Sequence, residues 1–191
     1  MANVDRPRGL VPLRDLSGAP YNGAVNKYYV PASDSTAIYV GGLVKLGGTA
    51  DANGVASVTG NVATGDAVLG AVISVDPIPA TLPRYRAAST ERYVYVSDDP
   101  NLVYEVQADD VLALTAVGNS ADLTGFTAGN TTTGLSSIEV DASTATAAGD
   151  GTQDVVIVGF AQTPDNDPAS ANANVLVRLN NHAFVDGFAG A

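Results

Sequence analysis

The feature that most restricts the fold of this 191-residue chain is a series of short apolar runs. Examples are KYYV at 27–30, AVLGAVISV at 67–75, RYVYVS at 92–97 and NVLVRLNN at 174–181. Gly, Asn, Asp and Pro clusters separate the runs, as turns separate strands. About ten runs of this kind, none with the length of a helix, predict an all-β fold that is a short-stranded barrel or sandwich.

Residues 1–26 differ in composition from the rest of the chain. They contain Pro7, Pro12 and Pro20 together with three glycines, and this density blocks long helices and central strands. We therefore expect an extended N-terminal arm at 1–26. After it we expect a β-rich body at 27–183 with long loops, either one unit or two of about 27–110 and 111–183, and a C-terminal tail at 184–191.

The charge of the chain excludes several classes of partner. Nine basic and twenty acidic residues give a net charge of −11. Phosphate contacts need clustered Lys and Arg, so we expect neither nucleic acid nor an anionic membrane as a partner. The absence of Cys excludes disulfides and thiol chemistry. The start of the chain lacks the apolar run of a signal peptide, which predicts a protein that stays in an aqueous compartment.

The arm is the basic part of an otherwise acidic chain. It carries three arginines against Asp5 and Asp15, so its charge is about +1 and the remainder is about −12. An arm of this kind cannot build its own core, and it is a candidate for lying on another protein or on a neighbouring protomer. A frayed terminus is the alternative. The candidate contact residues are Arg6, Arg8, Leu10, Leu13, Arg14, Leu16 and Tyr21.

The stretch RYVYVSDDPNLVYEVQADD at 92–110 holds a cluster of acids between two runs of alternating residues. Period-two alternation and the turn-forming DDPN sequence predict a β-hairpin with residues 98–101 as its turn. The alternative is a carboxylate pair of a glycan hydrolase, with Asp98, Asp99 or Glu105 as candidates. On the hairpin interpretation the interest moves to Tyr93, Tyr95 and Tyr104, which we expect in the core or in a contact surface.

Motifs for other chemistry are weak. TADANG at 49–54 begins like an EF-hand loop, but Gly60 occupies the position of the bidentate Glu. PDNDP at 164–168 offers only Asp165 and Asp167 for a cation, and its prolines favour a rigid loop. His182 is the only histidine, and no nucleophile-elbow motif accompanies it. We therefore expect no catalytic residue, no metal and no cofactor, and we predict that the protein is not an enzyme.

Several stretches resemble the capsid structural proteins of tailed bacteriophages. These are MANVDRPRGLVPLRDLSGAPYNG, YYVPASDSTAIYVGGLVKLGGTADANGV, RYRAASTERYVYVSDDPNLVYEVQ and VLVRLNNHAF. GGLVKLGG followed by TGDAVLGAVISV is also similar to the strand-loop-strand unit of head decoration, or cement, proteins. The resemblance implies a β-tulip-like fold. The chain is larger than the minimal single-barrel proteins of that family. The resemblance therefore assigns no role to residues 118–152, a section rich in Thr and Ala.

The same resemblance implies a role on the virion. A decoration protein is made in the host cytoplasm, binds the outer surface of the capsid and holds neighbouring major capsid proteins together. Its expected partners are the major capsid protein and further copies of itself, as a homotrimer or a homodimer. The alternative function is a phage adhesin or glycan-binding module that uses exposed tyrosines.

Overall fold

The computed structural model describes residues 3–78, 83–145 and 152–185, and within them the chain is nearly all β, as predicted. Two 3₁₀ helices lie at Leu114–Ala116 and Ala142–Thr144. The strands of these residues, β1 to β12 in chain order, are Val11–Asp15, Asn26–Val30, Leu43–Ala50, Ala56–Thr59, Gly70–Val75, Arg92–Ser97, Leu102–Gln107, Ser120–Ala121, Leu123–Thr124, Glu139–Val140, Val155–Phe160 and Asn174–Leu179.

Strands β2 to β6 form a closed barrel in the order β2-β4-β3-β5-β6. The β2–β4 pair is parallel, and the other pairs are antiparallel. Alternate residues point inward. Val94 and Val96 of β6 are therefore fully buried, whereas Tyr93 and Tyr95, which alternate with them, are half-buried. Closure gives every barrel strand a neighbour on both sides.

The other large element is an antiparallel sheet in the order β1-β7-β12-β11-β8. A separate two-stranded ribbon pairs β9 with β10. The core beneath the sheet contains Tyr104, Ile157 and Val177 together with Leu43 and Ala71 of the barrel. This shared core joins the sheet to one side of the barrel, and a second cluster that includes Val44, Val72 and Val94 fills the barrel itself.

The connection at 98–101 does not close a hairpin. Asn101 N–H donates to Asp99 Oδ1 at 2.8 Å, so the turn is present as predicted. However, β6 pairs with β2 and β5 in the barrel, whereas β7 pairs with β1 and β12 in the sheet. The prediction of a β6–β7 hairpin is wrong, because a turn signal fixes where the chain bends and not which strands pair afterwards.

The N-terminal arm lies on its own chain. Its strand β1 forms one edge of the sheet, with Val11 opposite Glu105 and Asp15 opposite Leu102. Leu10 enters the shared core with 1% of its surface exposed. The sheet thus takes its edge from the arm, and the chain passes from barrel to sheet at 98–101, before the expected boundary near residue 110.

Two glycines let the arm cross the barrel at close range. Gly9 and Gly41 have φ of +70° and +82°, and Leu10 N–H donates to Gly41 O at 2.9 Å. A Cβ at Gly9 would lie 2.3 Å from Gly41 O, inside van der Waals contact. Both positions therefore need a residue without a side chain.

Two buried arginines stabilise the segment that leads into β6. Arg86 is 0% exposed, and its guanidinium donates to the carbonyls of Pro31, Thr36 and Thr90 at 2.6–2.8 Å. Arg92 donates twice to Asp76 O, at 2.6 and 2.8 Å. The donors of both side chains thus meet backbone carbonyls, which is the condition for placing guanidinium groups in an interior.

The described part of residues 118–152, a section rich in Thr and Ala, forms loops with very short strands. In the apolar run SSIEV at 136–140, only the two residues of β10 form a strand. Residues 146–151 of this section, and residues 186–191 of the predicted tail, lie outside the described residues. Within the described part, buried Asp154 accepts from Gly65 N–H and Leu123 N–H at 2.9 Å each, which ties three distant segments together.

Candidate contact surfaces

The inner side of the arm is held by polar contacts to β7. Gln107 Nε2 donates to Val4 O at 2.8 Å, and its Oε1 accepts from Arg6 N–H at 2.9 Å. Arg8 forms an ion pair with Glu105 at 2.6 Å. This ion pair lies at the surface, so it orients the arm more than it stabilises it.

Three large apolar side chains of the arm are exposed. Val4, Leu13 and Leu16 are 69%, 43% and 46% exposed. Leu13 lies at the register shift between Pro12 and Arg14, where the β1–β7 pairing is irregular. We call these three residues the outer arm surface.

The predicted arm contacts therefore divide into two groups. Leu10 is buried in the protein's own core and Arg8 is paired with Glu105, so both are engaged within the chain. Leu13 and Leu16 point outward, and Arg6 is exposed. Tyr21 is half-buried against the core, and its hydroxyl donates to Ala24 O at 2.9 Å. Arg14 is half-buried, and its guanidinium donates to Asp15 O at 3.3 Å.

The three tyrosines of the acid-rich stretch at 92–110 lie in different environments. Tyr104 is 0% exposed, and its hydroxyl donates to Ser97 O at 3.0 Å. Burial raises the pKa of its phenol. Of the two alternatives predicted for Tyr104, core or contact surface, the structure shows the core, because this residue lies on the inward face of β7. Tyr93 and Tyr95 lie on the outside of the barrel, half-exposed.

A polar and aromatic cluster surrounds Tyr93. Its ring lies 5.7 Å from that of Tyr29, and Lys27 Nζ lies 3.8 Å from its centroid, a cation–π contact. Its hydroxyl donates to Asp51 Oδ2 at 2.6 Å, which with backbone bonds lowers the pKa of Asp51 to about 2. Together with Tyr95, these residues form the barrel tyrosine surface.

The three acids considered for hydrolysis have structural partners. Asp98 accepts from Tyr28 Oη at 2.5 Å and from Asn26 Nδ2 at 2.9 Å. Asp99 holds the 98–101 turn, and Glu105 pairs with Arg8. Asp98 and Asp99 line one side of a cleft of about 520 Å³, and residues 19–26 line the other.

His182 is a buried structural residue. It is 3% exposed, its Nδ1 accepts from Phe184 N–H at 3.1 Å, and burial lowers its pKa. In the PDNDP loop, Asp167 accepts from Ser170 Oγ at 2.9 Å and from Ala169 N–H at 3.2 Å. Among the described residues there is no group of three His, Asp or Glu side chains placed to hold a metal ion.

Some features were missed in the sequence. Burial of Arg86, Arg92 and Asp154 has no signature in composition or spacing, because their partners are backbone groups of distant segments. The sequence analysis also does not predict the apolar surface at Val111, Leu114 and Val117, which are 54%, 57% and 46% exposed. Its signal was present in the sequence DDVLALTAVG, a run too irregular for a strand.

Comparisons with protein-family models, curated proteins and solved structures gave no match. Over residues 3–78, 83–145 and 152–185, no helix has the length and apolar character needed to cross a membrane.

Proposed function

We propose that this protein is a structural component of a tailed-phage head that decorates the outside of the capsid. It holds neighbouring major capsid proteins together, works without catalysis or cofactor, and associates with further copies of itself, as a trimer in preference to a dimer. It is made in the host cytoplasm and ends on the outer surface of the virion. Neither nucleic acid nor membrane is a partner.

The outer arm surface is the observation that carries this proposal. Three apolar side chains, Val4, Leu13 and Leu16, face outward from a segment that is fixed to a rigid sheet. Apolar groups held in place lose little conformational entropy on binding, so they favour attachment to a protein partner. The polar residues Arg6 and Arg8 beside them supply the charged rim common in such interfaces.

The acidic body agrees with this location. A charge of −11 keeps the protein soluble and away from the packaged genome, which is also negative. Individual contacts on a shell need not be strong, because an oligomer bound at several points gains affinity from effective concentration. A capsid with repeated subunits offers such multiple points.

Sedimentation with heads that lack the protein tests the proposal. The double variant Leu13→Ala/Leu16→Ala is expected to sediment with heads at least about tenfold less well than the parent, as two central apolar contacts cost 1.4 kcal/mol or more. The matched control is Leu114→Ala/Val117→Ala, which removes an equally exposed apolar pair elsewhere. Equal loss in both variants, or no binding of the parent protein, would contradict the proposal.

The alternative function is binding of host glycans, and the barrel tyrosine surface favours it. Half-exposed Tyr29, Tyr93 and Tyr95 with Asp51 provide aromatic faces and a carboxylate, the groups that recognise sugars. Tyr93→Ala should then abolish retention on host polysaccharide and leave sedimentation with heads unchanged. Retention that does not depend on Tyr93, or no retention of the parent protein, removes this alternative.

A further inference from the structure

The contacts that hold the arm in place are contacts that an identical copy of the chain supplies equally well. Residues 3–15 are held by β7, by Gln107 and by the slot that receives Leu10. All these groups belong to the body and not to the segment that connects arm to body. The arm therefore recognises a surface present on every copy.

The connecting segment at 22–25 is weakly held. Asn22, Gly23 and Ala24 are exposed, and a Cβ at Gly23, where φ is +85°, would touch nothing within 4 Å. Beneath this segment lies the cleft of about 520 Å³ that separates it from Asp98 and Asp99. We call residues 22–25 the hinge, because three of its four residues are exposed and only Val25 is half-buried.

The unit that would move with the hinge is a hairpin. Tyr21 N–H donates to Leu13 O at 3.1 Å, and Asp15 N–H donates to Ala19 O at 2.8 Å. These bonds join the segment before the hinge to β1 and are kept when the whole arm turns. Residues 3–21 can therefore leave and redock as one piece.

A released arm does not remain free at high protein concentration. Its departure opens the edge of β7 and empties the Leu10 slot, and an unpaired strand edge is a site for pairing with another chain. The arm, with a charge near +1, is also attracted to bodies that carry about −12, whereas two bodies repel each other. The occupant favoured by shape and by charge is the arm of a second copy.

We infer that the protein associates by exchange of residues 3–21, so that β1 of one copy completes the β1-β7-β12-β11-β8 sheet of another. Exchange of an identical element is a low-cost route to oligomers, since every contact of the closed form is regained. A reciprocal pair gives a dimer, and a cyclic series gives a trimer. The inference concerns the purified protein alone and does not depend on capsid binding.

Single cysteines on separate chains test the exchange, because the natural chain has none. Val11 and Glu105 are opposite each other in the β1–β7 pairing. A Val11→Cys chain is mixed with a Glu105→Cys chain, incubated at high concentration and oxidised. A mixed disulfide is expected, since an arm on a foreign sheet brings the two cysteines together. Leu16→Cys mixed with Glu105→Cys is the control for random collision, because Leu16 is exposed and lies beside Asn101, four residues before Glu105.

A shortened hinge gives an independent measurement. Removal of Asn22, Gly23 and Ala24 shortens the connection by roughly 10 Å, so the arm cannot reach its own sheet but still reaches a neighbour's. Light scattering should show a shift of this variant to dimers or larger closed oligomers. A mixed disulfide no more abundant than in the Leu16 control overturns the inference, and so does a monomeric deletion variant with a protease-sensitive arm.

Discussion

The barrel and the five-stranded sheet provide hydrogen-bonded neighbours for their strands in different ways. The barrel gives each strand two neighbours by closing on itself within residues 26–97. The sheet has two ends, and one of them is completed by β1 from the far N-terminal side of the chain. The barrel thus depends on nearby segments and on buried arginines, whereas the sheet depends on whether a distant arm is in place.

The largest effect is expected in the barrel, from Arg86→Met. This change leaves the carbonyls of Pro31, Thr36 and Thr90 without their donor and leaves buried Asp34 without its cation, 4.0 Å away. Breaking a buried charged network of this kind costs roughly 3–5 kcal/mol. The measurement is urea unfolding followed by circular dichroism. Exposed Arg84→Met is the control and should unfold like the parent.

The next effect is expected at the sheet, from Leu10→Ala. Removal of this buried side chain should lower the free energy of unfolding by about 2–5 kcal/mol. It should also expose residues 3–21 to protease before the barrel unfolds. Leu13→Ala, which removes an exposed side chain of the same arm, should change stability by less than about 0.5 kcal/mol. Equal effects of the two substitutions would show that the arm is not docked.

A smaller effect is expected where the arm crosses the barrel. Gly9→Ala places a methyl group 2.3 Å from Gly41 O at a φ of +70°, and the strain should cost roughly 1–3 kcal/mol. Gly159→Ala adds the same methyl group to β11, where nothing lies within 4 Å. Thermal unfolding should separate the two variants, and a Gly9→Ala protein as stable as Gly159→Ala would contradict the close crossing.

The smallest effect is electrostatic and lies on the outside of the barrel. The Tyr93 hydroxyl and backbone donors lower the pKa of Asp51 from 3.8 to about 2, so this contact stabilises the fold above pH 3.8 and its contribution is lost as the pH falls towards 2. In Tyr93→Phe the pKa of Asp51 should rise towards 3.8, as measured by NMR titration. Tyr95→Phe should leave it unchanged, since Tyr95 contacts Asp76 instead.

The alternation of β6 and β7 could be read from the sequence, and so could the turn at 98–101. The strands with which β6 and β7 pair could not be read from the sequence. Residues 92–107 look like a hairpin locally, but β7 pairs with β1 and β12, and pairing across long separations leaves no mark in a single sequence. The tyrosines show the same limit. Period two separates Tyr93 from Val94, but only the packed core shows that Tyr104 points inward.

The arm was predicted as extended and as a contact segment, and its composition justified both. Sequence alone did not show that Gly9 and Gly41 permit it to cross the barrel, because two glycines far apart in the chain carry no sign that they meet. The division of its side chains into buried Leu10 and exposed Leu13 and Leu16 is seen only in the packed structure. Capsid binding by that exposed side stays a prediction.

The position of β1 also has a consequence in time. The Arg8–Glu105 contact joins residues 97 positions apart, so the arm is synthesised long before β7 exists to receive it. At roughly 5–20 residues per second, the arm waits for about five to twenty seconds beside other nascent chains. During that interval the arm has no β7 of its own, and a neighbouring chain offers one only where its own arm has not yet docked.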